Sequence, residues 1–203
     1  MKKNKKLAVF ASGNGSNFQA IVDAVYSGEL DAELSLLVCD KPGAYAIERA
    51  NNAGIPRFVF EAKAYASKEA FEKEMIAHLK SADVDFIVLA GYMRLIGSTL
   101  LNEYEGRIVN IHPSLLPAFP GKDAIGQALT AGVSETGVTV HFVDEGMDTG
   151  PIIAQKRVDI EENETLESLQ AKIHAVEHRL YPAVLQKLLT QGEMTYGKKE
   201  SVN

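Results

Sequence analysis

The 203-residue sequence contains a single cysteine, no long hydrophobic run and fewer basic than acidic residues. Cys39 alone cannot form an intramolecular disulfide, and no Cys-x-x-Cys pair suggests zinc or redox chemistry, so a reducing compartment is expected. No window approaches the roughly 20 apolar residues that span a bilayer. The apolar segment 7–11, behind the basic first residues, is also shorter than the roughly 7–15 residues of a signal-peptide core. We therefore expect a cytoplasmic protein.

The net charge is −6, from 21 Lys and Arg residues against 27 Asp and Glu residues, and the isoelectric point is about 5.4. Nucleic-acid-binding domains usually have a basic surface, so any anionic ligand of this protein must be held in a local pocket. Hydrophobic residues make up 46% and charged residues 24% of the chain, which is typical of a globular protein with its own core. The length predicts one domain over residues 1–203.

Short apolar segments alternate with longer segments of helical period, which is typical of β-α-β units around a parallel sheet. This pattern predicts an α/β, Rossmann-like fold: a mostly parallel sheet flanked by helices, with an antiparallel C-terminal strand and a long C-terminal helix. The predicted strands are 7–11, 34–38, 57–60, 86–90, 107–111, 137–143 and 152–158. The predicted helices are 17–27, 44–53, 68–81, 124–131 and 165–189.

The first predicted strand runs into Ser12-Gly13-Asn14-Gly15-Ser16-Asn17 and then into a helix. The first N–H groups of a helix have no helical partners, and the glycines let a ligand approach them, so the segment fits a phosphate cradle. Asp40 follows the second strand, where dinucleotide-binding proteins have a ribose-binding acid. However, Phe18 replaces the third small residue of their motif, which favours a monophosphate. A glycine turn that only caps the helix is the alternative.

The fifth predicted strand ends in Asn110-Ile111-His112. Since side chains alternate along a strand, Asn110 and His112 point to the same face, at the sheet edge where α/β proteins bind ligands. An amide can donate to a developing oxyanion, and an imidazole can transfer protons near neutral pH, so the pair fits acyl transfer. The acidic loop 144–150 could supply a carboxylate that orients the imidazole. A strand-end histidine bonded to loop carbonyls is the alternative, and His141 is interpreted as a strand residue without a role.

No serine or cysteine stands in a recognisable nucleophile motif. We therefore expect direct attack by a substrate amine or by water, without a covalent enzyme intermediate.

Four segments together resemble the glycinamide ribonucleotide formyltransferases, a folate-dependent family. In chain order they are 12–17, Ala-Gly-Tyr-Met-Arg at 90–94, Asn-Ile-His-Pro-Ser-Leu-Leu-Pro at 110–117 and Asp-Thr-Gly-Pro at 148–151. The resemblance covers nearly the whole chain. It implies transfer of the formyl group of 10-formyltetrahydrofolate, a co-substrate, to the glycine amine of glycinamide ribonucleotide in de novo purine synthesis. It implies no metal.

The resemblance also implies roles for matching positions of this sequence. The implied catalytic residues are Asn110, His112 and Asp148. The implied ribonucleotide-binding residues are Gly15, Ser16, Asn17 and Glu177, and the implied folate-binding residues are Lys68, Met93, Arg94, Leu95, Ile96 and Asn110. Lys68 stands where some members have arginine, which keeps the charge but loses the planar fork. Without the resemblance, Met93 would be interpreted as a core residue.

The implied partners are therefore two small molecules, with no nucleic acid and no membrane, and the chain is expected to be a monomer or homodimer. Within the single domain, the resemblance implies a nucleotide-binding half, about 1–105, and a folate-binding and catalytic half, about 106–203.

Formyltetrahydrofolate deformylase, which uses water as the acceptor, and methionyl-tRNA formyltransferase are similar to this sequence at the folate site. They carry an added N-terminal and an added C-terminal domain, respectively. The first strand here begins at Leu7 and only 14 residues follow Leu189, so we expect neither addition. A nucleotide-binding module without catalysis is a further alternative.

A zinc peptidase is the alternative from another class, because His174-Ala175-Val176-Glu177-His178 fits the pattern His-x-x-Glu-His. A catalytic zinc needs a third protein ligand, and only Glu193 and Glu200 follow as candidates. The motif is therefore not favoured.

Overall fold

A seven-stranded sheet forms the centre of the computed structural model, which describes residues 4–191. The order across the sheet is β3-β2-β1-β4-β5-β6-β7. The first five strands are parallel, β6 is antiparallel to both of its neighbours, and β7 therefore returns to the common direction. The predicted fold class is confirmed, with β6 as the reversed strand. The strands are β1 (Lys5–Ala11), β2 (Ala32–Cys39), β3 (Arg57–Val59), β4 (Phe86–Leu89), β5 (Ile108–His112), β6 (Glu135–Phe142) and β7 (Ile152–Asp159).

Five α-helices and a short 3₁₀ helix connect the described strands, and a sixth α-helix follows β7. The predicted helices 68–81 and 124–131 have their expected bounds, and the other predicted helices differ by one or two residues at one or both ends. The sequence patterns did not predict the 3₁₀ helix or the short helix α4. Among residues 4–191, no helix combines the length and the apolarity needed to cross a bilayer. The α-helices are α1 (Ser16–Ser27), α2 (Tyr45–Asn52), α3 (Lys68–Ser81), α4 (Ser98–Glu103), α5 (Ala124–Ala131) and α6 (Leu166–Gln191), and the 3₁₀ helix is Ala62–Ala64.

Apolar side chains cover both faces of the sheet, because alternate residues of a strand point in opposite directions. Leu7 and Val9 of β1 belong to a cluster with residues of α1, α2 and α6. The intervening Ala8 and Phe10 belong to a second cluster with residues of α3 and α4. Phe18 is fully buried in the first cluster, so its large ring occupies core space that a dinucleotide motif keeps small.

The same alternation orients the end of β5. Val109 and Ile111 enter the first cluster, so Asn110 and His112 lie on the opposite face of the strand. Tyr181 of α6 is fully buried, and its hydroxyl lies 2.8 Å from the carbonyl of Leu89 and 3.2 Å from that of Val109. Helix α6 is thus attached to the end of β4 and to the residue of β5 that precedes Asn110.

Candidate active site

The loops that carry the predicted site residues meet at the carboxyl edge of the parallel strands. Ser12, which follows β1, accepts a hydrogen bond from the N–H of Met93 at 2.8 Å and donates its own N–H to the carbonyl of Gly91 at 3.1 Å. These bonds join the glycine loop to the loop after β4. The ligand-binding edge expected for an α/β sheet is therefore built from both predicted substrate segments.

Helix α1 begins with an open N-terminus. Its N-cap, Gly15, has φ of 75° and lies in the left-handed region, where glycine is favoured. No side chain caps the helix, and its first turn contains no acidic residue. The N–H groups around Ser16 and Asn17 can therefore donate hydrogen bonds to an anion such as a phosphate, which the positive end of the helix dipole also favours.

Two of the predicted ribonucleotide-binding residues contact each other although 160 positions separate them. Asn17 donates from Nδ2 to Oε2 of Glu177 at 3.1 Å. Glu177 is only 5% exposed, and this burial raises its pKa to about 7, although the Asn17 hydrogen bond acts in the opposite direction. Near neutral pH the carboxyl group is thus divided between its neutral and charged forms, so it can accept or donate a hydrogen bond.

The three predicted catalytic side chains converge. Oδ2 of Asp148 lies 3.4 Å from Nδ1 of His112, and Oδ1 lies 3.5 Å from Nδ2 of Asn110. The N–H of Gly121 also donates to Oδ2 of Asp148 at 2.8 Å. Burial favours a raised pKa for Asp148, but hydrogen bonds from His141 and Gly121 and the nearby imidazoles outweigh this effect and lower the pKa below its usual value. Asp148 therefore supplies a negative charge at neutral pH.

The hydrogen bonds of His112 define its tautomer. Nε2 lies 2.8 Å from the carbonyl oxygen of Phe119, which can only accept, so Nε2 carries a proton. A second proton would then reside on Nδ1, which faces Asp148. The side chain is 6% exposed and both ring nitrogens are engaged. In this arrangement His112 can carry a positive charge beside the site, and it needs a water molecule or a small movement to exchange a proton with a ligand.

His141 also lies in this cluster, so interpreting it as a strand residue without a role was incomplete. Its Nε2 is 3.3 Å from Nδ2 of Asn110 and 3.6 Å from Oδ1 of Asp148, and its Nδ1 donates to the carbonyl of Phe142. His141 and Asn110 are register partners across β5 and β6. The signal that would have found it is the pairing of the sixth predicted strand with the fifth.

The segment predicted to bind folate follows β4, and its side chains divide into two groups. Met93 is 64% and Leu95 is 47% exposed, so the core interpretation of Met93 is wrong. Met147, on the acidic loop, is 57% exposed. Ile96 is 5% exposed and packs in the second core cluster, which leaves only its backbone for a ligand. The exposed apolar side chains could cover a planar heterocycle.

The predicted cationic residues of the folate site lie at the same segment. Nε of Arg94 donates to Oδ2 of Asp40 at 2.7 Å, and Asp40 is 5% exposed. Asp40 therefore holds an arginine, a role that the dinucleotide comparison did not suggest. Lys68 begins α3, and its side chain packs against Gly97. A Cβ added to that glycine would lie only 2.9 Å from Cε of Lys68. Arg94 thus belongs to the segment 93–97, and Lys68 lies next to its last residue.

The zinc-peptidase motif does not assemble a metal site within residues 4–191. Glu177 is bonded to Asn17, and the rings of His174 and His178 stack with centroids 6.1 Å apart. Across the described part of the chain, no group of three or more His, Cys, Asp or Glu side chains is arranged to hold a metal ion. The candidate third ligands, Glu193 and Glu200, lie outside the described residues.

Comparisons with known proteins give a single answer. The family described as formyl transferase matches residues 5–185. The chain is similar to the phosphoribosylglycinamide formyltransferase of Bacillus subtilis strain 168, with 60% identity over 185 residues that cover 91% of this chain and 95% of the relative. It is also 45% identical over 190 residues to the trifunctional purine biosynthetic protein adenosine-3 of Drosophila melanogaster. That match covers 93% of this chain but only 14% of the larger protein.

Solved structures agree in fold as well as in sequence. A glycinamide ribonucleotide transformylase 1 from Geobacillus kaustophilus has a TM-score of 0.90 and 66% identity, covering 92% of this chain and 100% of that chain. A phosphoribosylglycinamide formyltransferase from Bacillus halodurans has a TM-score of 0.90 and 60% identity, covering 93% of this chain and 97% of that chain. The family match over residues 5–185 includes both the glycine loop and the catalytic cluster.

Proposed function

Since the chain belongs to the formyl transferase family, we propose that it transfers the formyl group of 10-formyltetrahydrofolate to the glycine amine of glycinamide ribonucleotide. The products are N-formylglycinamide ribonucleotide and tetrahydrofolate, and the reaction is a step of de novo purine synthesis. The observation that supports this function most directly is the convergence of Asn110, His112 and Asp148 at the carboxyl edge of the sheet. The acceptor is an amine rather than water, which distinguishes the reaction from that of a deformylase.

The ribonucleotide binds at the glycine loop and at Glu177. The phosphate accepts hydrogen bonds from the N–H groups of Gly15, Ser16 and Asn17, where the helix dipole is favourable. The contact between Asn17 and Glu177 joins the phosphate end of the site to the carboxyl group that contacts the glycinamide. Because the pKa of Glu177 is raised to about 7, its neutral form is available to donate to a carbonyl oxygen of this substrate.

The folate binds along residues 93–96. Exposed Met93 and Leu95 cover its ring system, Ile96 contributes backbone, and Arg94 and Lys68 contact its negatively charged part. Binding both substrates at one edge turns a bimolecular encounter into attack within a positioned complex.

Asn110, His112 and Asp148 then stabilise the charge that develops as the amine attacks the formyl carbon. Asn110 donates to the formyl oxygen as it becomes an oxyanion. Its present contacts with His141 and Asp148 are long, at 3.3 and 3.5 Å, so one N–H can be exchanged for the substrate oxygen.

Protons move from the attacking amine to the departing folate nitrogen through His112 or a bound water molecule. The negative charge of Asp148, whose pKa is lowered, lies 3.4 Å from Nδ1 of His112 and 3.6 Å from Nε2 of His141 and orients both imidazoles. This arrangement holds a proton-carrying imidazole beside the developing oxyanion, and it requires no covalent enzyme intermediate.

We propose that both partners are small molecules and that 10-formyltetrahydrofolate is a co-substrate in a reaction without a metal. The single domain over 1–203 divides into a nucleotide-binding half, about 1–105, and a folate-binding and catalytic half, about 106–203. The protein works in the cytoplasm as a monomer or homodimer.

An absorbance assay that follows loss of the 10-formyl folate tests the function, with glycinamide ribonucleotide and water compared as acceptors. We expect turnover that depends on the ribonucleotide, and turnover without it would indicate a deformylase. Removing one oxyanion donor typically lowers kcat by about 10²–10³. The kcat of Asn110→Ala should therefore be lower than that of the unchanged protein by at least this factor. Asp148→Ala should also lose activity. Turnover like that of the unchanged protein in both variants would contradict the catalytic assignment.

A further inference from the structure

The glycine loop rests against helix α2, and its shape depends on that contact. The N–H of Ala46 donates to the carbonyl of Gly13 at 3.1 Å. A Cβ on Gly15 would lie only 2.8 Å from the Cβ of Ala46, so the loop backbone approaches the helix as closely as glycine allows. The loop that faces the phosphate site is thus supported from behind by the first two turns of α2.

Arg49, in the second turn of α2, holds this loop through its side chain. Nε donates to the carbonyl oxygen of Asn14 at 2.9 Å, and Nη2 donates to Oδ1 of the same residue at 2.9 Å. Nη1 donates to Oε1 of Gln19 in α1 at 3.2 Å, and the guanidinium lies 4.8 Å above the ring of Tyr45. A planar guanidinium that binds both oxygens of one residue fixes its orientation as well as its position.

The charge of Arg49 is not neutralised by these contacts. All three acceptors are uncharged amide or carbonyl oxygens, and within the described residues Arg49 forms no salt bridge. The positive end of α1 lies directly after the same loop, and its first turn also lacks an acidic residue. Two sources of positive potential therefore adjoin one loop, an arrangement that is favourable once a phosphate is bound there.

We propose that Arg49 is a positioning residue for the phosphate of the nucleotide substrate. It acts through Asn14: by fixing both oxygens of that residue, it keeps the N–H groups of residues 15–17 directed at the phosphate, and its own charge strengthens phosphate binding. The inference rests on the proposed function, because it assumes that the nucleotide phosphate binds at this loop. The family comparison and the sequence patterns gave Arg49 no role.

The test compares Arg49→Gln and Arg49→Lys with Arg157→Gln, a matched control. The exposed guanidinium of Arg157, in the edge strand β7, pairs with Glu135 of β6. Steady-state kinetics give separate KM values for glycinamide ribonucleotide and for the folate, and calorimetry gives the Kd of the ribonucleotide alone. Arg49→Gln should raise the KM and Kd of the ribonucleotide by about ten- to a hundredfold, because the loop loses the charge-assisted hydrogen bonds that orient it and the site loses a positive charge. The KM of the folate should change less than about twofold.

Arg49→Lys keeps the charge but loses the planar fork, so its ribonucleotide KM should lie between those of the unchanged protein and Arg49→Gln. Asn14→Ala, a change at an exposed residue, tests the route of the effect even if an Arg49 variant folds poorly. The double variant Arg49→Gln with Asn14→Ala measures the coupling of the two residues. If Arg49 acts through Asn14, this variant should bind the ribonucleotide about as weakly as Arg49→Gln alone, because the effects of coupled residues do not add.

Two results would overturn the inference: an unchanged ribonucleotide KM in Arg49→Gln, or an equal rise in both KM values. Fully additive effects in the double variant would also overturn the route through Asn14. Failure of the proposed function is distinguishable, since the unchanged protein would then transfer no formyl group to the ribonucleotide in the same assay.

Discussion

The buried carboxyl group of Glu177 should make the stability of the protein depend on pH in a way that one substitution removes. Burial raises its pKa from 4.5 to about 7, and the only hydrogen bond to its side chain in the described structure comes from Asn17. Between these two values the unfolded chain has lost the proton while the folded protein still holds it. Unfolding therefore releases a proton, and the free energy of unfolding falls as the pH rises.

The size of the effect follows from the shift. One pKa unit corresponds to about 1.36 kcal/mol, so the rise from 4.5 to about 7 is equivalent to roughly 3 kcal/mol. Most of that difference develops between pH 5 and pH 8, where wild-type stability should decline by about 2–3 kcal/mol because of this group. The decline levels off above the folded-state pKa, where Glu177 is charged in both states. Tyr181, on the same helix, stays neutral in this range because burial raises its pKa.

Glu177→Gln keeps an oxygen that accepts from Asn17 and removes the titration. Urea unfolding of both proteins at pH 5, 6, 7 and 8, without ligands, gives the difference in free energy of unfolding at each pH. We expect that difference to change in favour of the glutamine variant by about 2–3 kcal/mol from pH 5 to pH 8, because the contributions of groups that do not interact with residue 177 cancel. Glu167→Gln, in the exposed first turn of α6, controls for replacing a glutamate in that helix. Parallel stability curves for the wild-type and Glu177→Gln proteins would refute the reasoning.

Three further changes test the remaining parts of the site. Ser16→Asp should raise the Kd of the ribonucleotide at least about tenfold in calorimetry, because a carboxylate in the first turn of α1 repels a phosphate while it favours the helix itself; unchanged affinity would exclude a phosphate at the loop. Asp40→Asn removes the charge that holds Arg94, so the folate KM should rise several-fold with little change for the ribonucleotide, and an equal change in both would contradict the folate assignment. Tyr181→Phe removes a buried hydroxyl that contacts two strand carbonyls, and it should lower the free energy of unfolding by about 1–3 kcal/mol. An unchanged midpoint of urea unfolding would show that these hydrogen bonds contribute nothing to stability.

Local sequence patterns predicted the main elements well because the apolar periodicity of each helix or strand lies within its own sequence. Helix α3 has its predicted bounds, and its N-cap is local, since the side chain of Ser67 accepts from the N–H of Ala70. Helix α4 was missed because its cap comes from elsewhere. The carboxylate of Glu72, in α3, accepts from the N–H groups of Gly97 and Leu100 at 2.6 and 3.2 Å. No local pattern around residues 98–103 contains that information.

The candidate site shows the same division. The sequence by itself determined the glycine loop and the pair Asn110 and His112, because a strand end and a strand periodicity are local features. The resemblance added Asp148 and Glu177. In the structure Asp148 lies within ion-pair distance of His112, and Glu177 accepts a hydrogen bond from Asn17.

Only the tertiary structure decided which other side chains join the site. His141 faces Asn110 because β6 pairs with β5 in a particular register, Arg49 reaches Asn14 because α2 packs against the loop, and Asp40 reaches Arg94 because β2 and β4 end at one edge. The members of these pairs are separated by 31, 35 and 54 positions. Periodicity reports the face of an element on which a residue lies, whereas the distance between two elements is set by packing of the whole core.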